Sequence, residues 1–257
     1  MIRIGVAYFL VASCLVGYAP ISQSGASADS KPVSAKSDVP RKNETITFME
    51  LMHKIKDFTR SNKIILEDAS SKEMSTVGGR ITVGFQQDPP AKIQLADGIT
   101  ILWGWKHQEA FFKSIAIFDS HNTLKMAGFA NDLPLIYSRS VAFGDTVITN
   151  SADYEALLER SSRYSSPPIV QLYAATQEDA DTYYPLAARW VQASMMGFNT
   201  KCSEPKLSAS CRFVETIQIP TYIYTRDCPY RNESNPKCRL HLPSAVSNAV
   251  PSLDDFR

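Results

Sequence analysis

Residues 99–130 read ITILWGWKHQEAFFKSIAIFDSHNTLKMAGFA. Three apolar runs within them, Ile99 to Trp105, Ser114 to Asp119 and Leu124 to Ala130, have the length of strands. Between the last two, Asp119-Ser120-His121-Asn122 has the chemistry of a hairpin turn. Shorter runs of the same kind lie on either side: Lys63 to Leu66, Arg80 to Phe85 and Lys92 to Leu95 before, Leu135 to Tyr137 and Thr146 to Ile148 after. Gly78-Gly79, Asp88-Pro89-Pro90 and Asp97-Gly98 separate the earlier runs. The pattern predicts an antiparallel meander.

Helical signals flank it. Thr47 with Glu50 three residues on makes a capping box, and Phe48, Leu51, Met52, Ile55 and Phe58 then mark one helical face. After Ser151, Tyr154, Leu157 and Leu158 share a side as far as Arg163, and Pro167-Pro168 stops that helix before a strand from Ile169 to Ala174. Thr176 and Asp179 cap the strongest helix, on which Ala180, Tyr184, Ala187, Ala188, Val191 and Met195 recur before Gly197 ends it. Pro185 is expected to kink that helix or to begin its main segment. This order implies an α+β protein: a mostly antiparallel sheet, two or three helices covering one face, and a disulfide-stapled C-terminal segment. Residues 47–257 are expected to form a single domain, with a subdivision near 150 as the other reading, and the tail after Leu240 is expected to lie over the surface.

The staples come from the cysteines. Cys202 and Cys211 enclose one polar loop, Cys228 and Cys238 another, and each loop closes as Cys-Arg-apolar, in Cys211-Arg212-Phe213 and Cys238-Arg239-Leu240. Phe213 to Thr225 between them is rich in β-branched and aromatic residues. Four cysteines allow three connectivities. Sequential pairing, 202 with 211 and 228 with 238, is favoured because each bond then clips its own loop. Zinc is the rival, but its ligand pairs sit about two to four residues apart, closer than these.

Disulfides require an oxidising compartment, and the other end of the chain supplies a route to one. Arg3 precedes an uncharged apolar run from Ile4 to Ala19, and Ala26-Ser27-Ala28 follows as a cleavage site, so residues 1–28 read as a signal peptide. The run is short for a membrane anchor. Val11-Ala12-Ser13-Cys14 also resembles the lipobox of bacterial lipoproteins, which would anchor the chain to a membrane by lipid at Cys14. Residues 29–46, polar and Pro-bearing, read as a flexible tether. Residues 1–28 hold one cation, Arg3, and no acid, so the 27 basic and 26 acidic side chains of the whole chain become balanced once they are removed. That balance gives no reason to expect nucleic acid as a partner.

Catalytic motifs are sparse. Trp103-Gly104-Trp105 followed by Lys106-His107 is the candidate ligand site, two indoles beside a cation at a strand end, with core packing of the indoles as the competing account. Asp119, Ser120 and His121 are residue types of a hydrolase triad, yet neighbours in sequence cannot supply its geometry, and turn chemistry is the preferred reading. Cys228-Pro229-Tyr230-Arg231 resembles the glutaredoxin active site Cys-Pro-Tyr-Cys with its last cysteine replaced, which would imply thiol-disulfide chemistry at Cys228. Asn235-Pro236 opposes the helix such a thiolate needs, and too little chain follows for the rest of that fold, so a structural disulfide is preferred. The four histidines are scattered, with no metal-binding spacing, and no cofactor is indicated. Asn43-Glu44-Thr45 and Asn232-Glu233-Ser234 are glycosylation sequons, meaningful only in a eukaryotic source. Between 201 and 240 basic residues outnumber acidic ones, which would favour an acidic partner. The functional expectation is a non-catalytic extracytoplasmic protein that binds an unknown protein or envelope partner through its stapled loops. A hydrolase with a dispersed site around His107 or His121, and a redox protein using Cys228, are the alternatives.

Overall fold

The structure, a computed structural model, describes residues 46–59, 65–68, 71–87, 89–107, 109–138, 146–161, 168–198, 201–225 and 250–256. Within them, α1 (Phe48–Thr59), β1 (Ile65–Asp68), β2 (Ser71–Thr76) and α2 (Val77–Val83) lead into the meander β3 (Ala91–Gln94), β4 (Thr100–Lys106), β5 (Glu109–Phe118) and β6 (Leu124–Asn131). A short pair, β7 (Tyr137–Ser138) and β8 (Thr146–Val147), precedes α3 (Ser151–Ser161). Then come β9 (Ile169–Ala174), α4 (Gln177–Met195), α5 (Pro205–Val214) and β10 (Thr221–Thr225).

The fold is α+β. Its main sheet has six strands in the order β10-β9-β6-β5-β4-β3, antiparallel throughout except that β10 runs parallel to β9. The crossover between those two carries α4 and α5, the long connection that parallel neighbours require. Strands from before and after residue 150 share this one sheet.

Helices cover both faces of the sheet, not one. On the first face Leu102, Ala116, Phe118, Ala127, Phe129 and Tyr173 pack with Leu51 and Ile55 of α1 and Val77 and Ile81 of α2. On the second, Ile101, Trp103, Ile115, Ile117, Met126 and Leu172 pack with Ala180, Leu186, Ala187 and Trp190 of α4, with α5, and with Leu253 and Phe256. The strands show the sequence consequence. A sheet wetted on one face alternates apolar and polar residues, whereas β4 and β6 are near-continuous apolar runs because both of their faces are dry.

Two segments differ from the sequence reading. Arg80 to Phe85, read as a strand, lies largely in α2: Thr76 caps it by accepting the Gly79 N–H at 3.1 Å, and Val77 and Ile81, one helical turn apart, are both buried. The glycine pair read as a separator instead forms the first turn of α2, where a Cβ at Gly78 would stand 2.4 Å from the Thr59 hydroxyl of α1. The Cys202–Cys211 segment is not a loop either, since α5 occupies most of it and continues into Phe213 and Val214, which had been assigned to strand-like chain.

Elsewhere the local chemistry works as expected. The Glu50 N–H donates to the Thr47 hydroxyl at 3.2 Å, and the Asp179 N–H to that of Thr176 at 3.1 Å. Helix α4 already starts at Gln177, so Pro185 lies inside it and does not begin its main segment as expected; the helix ends where Gly197 takes the left-handed conformation (φ 75°) that a helix C-terminus favours. Asp119 organises the β5–β6 turn by accepting the backbone N–H groups of His121 and Thr123, each at 2.9 Å.

Candidate functional site

Helix α5 starts at Pro205, whose fixed φ suits a first helical position, and buries Leu207, Ser210, Cys211 and Val214 at helical spacing. That spacing turns Cys211 inward, where it meets Cys202 with the two Cα atoms 5.8 Å apart in a disulfide. The backbone N–H of Cys202 donates to Asp254 Oδ1 at 2.6 Å. Asp254 belongs to a 3-10 turn, Leu253–Asp255, held by reciprocal capping between Ser252 and Asp255. Covalent bond, helix and C-terminal turn are thereby fastened to one another.

Together they wall an open cleft of about 510 Å³ lined by both cysteines, Arg189, Arg212, Glu215 and the 250–254 segment. Arg189 Nη1 bonds Glu215 Oε1 at 2.5 Å, while its buried Nε has no partner among the described residues. Arg212 Nη1 donates to the Ser208 hydroxyl at 2.6 Å, and among the described residues its exposed guanidinium meets no carboxylate. Arg212 therefore offers the cleft planar N–H donors, the complement of a carboxylate.

The sequence candidates at the β4 end are partly brought together. Trp103 is core (1% exposed), Trp105 is 36% exposed, and both rings lie against Phe198 with centroids 6.0 and 6.3 Å away. His107 sits in the β4–β5 turn, its backbone N–H bonded to Gln86 Oε1, and its ring makes no hydrogen bond among the described residues. The cation beside the indoles is instead Lys113, opposite Trp105 in the β4–β5 register. Sequence reasoning passed over Lys113 and Phe198, although a lysine at the alternate position before Ile115 and Ile117 is a visible break in an inward-facing row.

The Asp119-Ser120-His121 group does not form a relay. The Asp119 carboxylate is occupied by the turn backbone and lies 3.9 Å from Lys125, and among the described residues the His121 ring reaches only the Ser120 hydroxyl, at 3.4 Å. Cys14, Cys228 and Cys238, with the signal, lipid, tether, second-staple and redox readings that depend on residues 1–45 and 226–249, lie outside the described residues. Among the described residues no cluster of three or more His, Cys, Asp or Glu is placed to hold a metal, and no helix is long and apolar enough to cross a membrane. No known protein family, curated protein or solved structure matches the chain.

Proposed function

We propose that this chain is a non-catalytic extracytoplasmic binding protein, periplasmic or secreted, whose cleft beside the Cys202–Cys211 bond docks a carboxylate-bearing segment of a protein or envelope partner. The observation that carries the reading is the exposed guanidinium of Arg212, which meets no carboxylate among the described residues, in a cleft whose wall is a disulfide. Pinning α5 to the preceding turn holds those donors in place before a partner arrives, so less conformational freedom is lost on docking. Export is supported by the disulfide and by the Arg3-led apolar run at the start of the chain. Anchoring through Cys14 is the variant of this reading in which the protein stays at a membrane.

Two measurements test it. Capture of partners from envelope extract, alongside titration with an Asp/Glu-rich peptide, is expected to weaken by about tenfold or more in Arg212→Glu and to fall with added salt. Retention of every wild-type partner by that variant, with no binding of the acidic peptide, would overturn the cleft as the docking surface. Intact-mass analysis of the natural product is expected to find residues 202 and 211 oxidised and the chain either starting at Asp29 or lipidated at Cys14. An unprocessed chain with free thiols would overturn the compartment.

A further inference from the structure

The pairing register sets Trp105 of β4, Lys113 of β5 and Ala130 of β6 side by side, so their side chains leave the same face of the sheet. Lys113 is 4% exposed, and no charged group acts on its ammonium: desolvation is the one influence on it. Burial alone lowers its pKa to about 8, which still leaves the group mostly charged at neutral pH. A buried ammonium without a counter-ion is costly, and such groups are paired in nearly every protein that keeps them. Beside Trp105, Phe198 is held at φ 58°, a left-handed conformation that costs a bulky side chain about 1 kcal/mol or more. That backbone sets its ring against Trp103 and Trp105, leaving one aromatic layer buried and the outer indole partly open. Phe111, 40% exposed, lies just before Lys113, where the β4–β5 register shifts.

We propose that this end of the sheet is a second binding site, in which Lys113 receives the charge of a small flat monoanion, an aromatic carboxylate, and the open indole of Trp105 receives its apolar body. The chemistry narrows the class. A single buried cation suits one carboxylate better than a polyphosphate, which would call for several donors, and a neutral aromatic would leave the ammonium as it stands. The site is independent of the cleft at the staple. It lies on β4 and β5, and none of its residues borders Arg189 or Arg212 in that cleft.

The test is a titration with benzoate, and with benzamide as its neutral counterpart, read from the three tryptophan indole N–H signals of the full-length protein. The signal lost in Trp105→Phe identifies Trp105. Benzoate is expected to shift that signal saturably, with affinity about tenfold or more weaker in Lys113→Met and for benzamide, and unchanged in Arg212→Glu. Trp105→Ala removes an exposed ring, keeps the fold, and is expected to weaken benzoate binding followed by calorimetry. Overturning results are the absence of a saturable shift, equal affinity for benzamide, or wild-type affinity in Lys113→Met.

Discussion

Replacing Lys113 by methionine removes a charge while keeping the length of an unbranched side chain, and the structure sets the size of the result. The native state holds the Lys113 pKa at about 8 against an ordinary 10.5, with desolvation as the cause. Each pH unit of that gap corresponds to about 1.4 kcal/mol, so below pH 8 the charge penalises folding by about 3 kcal/mol. The sign follows from proton binding: the unfolded chain binds this proton more tightly, so the penalty is full below about pH 8 and disappears as pH rises to 10.5. Lys113→Met is therefore expected to be more stable than the wild type by about 3 kcal/mol at pH 7, an advantage that shrinks steadily above pH 8. Urea unfolding of both proteins at pH 7, 8, 9 and 10, with the disulfide intact, measures it. Tyr173 and Tyr184, whose phenols burial raises, titrate alike in both proteins and drop out of the difference. A variant less stable than the wild type at pH 7, or an advantage that does not change with pH, would refute the premise that this ammonium is buried without a counter-ion. A stability gain combined with lost benzoate binding is the trade expected where a site is kept at the expense of the fold.

Other changes probe other parts. Cys202→Ala with Cys211→Ala is expected to lose about 2 to 3 kcal/mol in urea unfolding, with the far-ultraviolet dichroism of the sheet retained, because the bond closes a short loop on the second face. Thr176→Ala, which removes the acceptor for the Asp179 N–H at the start of α4, is expected to cost about 1 kcal/mol in the same assay. Gly128→Ala would bring a Cβ within 2.4 Å of the Gln171 carbonyl oxygen of β9. It is expected to cost more than about 2 kcal/mol or to prevent accumulation of folded protein.

The strands of the meander were legible because a buried strand is an apolar run of a certain length, and Ile169 to Ala174 is the observed β9 residue for residue. What such runs do not reveal is how many faces are covered. That was recoverable from β4 and β6 had the missing alternation been weighed, since a single dry face would have spared polar residues at every second position. Arg80 to Phe85 misled because Val, Ile and Phe fit a strand, whereas its helical character came from a cap at Thr76 and from packing of Gly78 against α1, which is tertiary information. The staple was read with the right partners, and the helix inside it was missed because Ser, Pro and Lys look like loop chemistry until Leu207, Cys211 and Val214 are seen to share a face. The indole pair is visible in the composition, but the cation that faces Trp105 lies eight residues further on, across a hairpin, and only the register joins them.

Cys202 and Cys211 stand nine positions apart, and that brevity bears on how the mature molecule is made. A segment of about ten residues meets end to end in roughly 10 to 100 ns, long before a sheet with a parallel crossover can assemble. Correct oxidation here needs no native topology to guide it: the nearest thiol in the chain is the right one, and longer closures are slower and entropically dearer. Once formed, the bond keeps the start of α5 close to Cys202 and narrows the conformations the chain must search before the second face condenses.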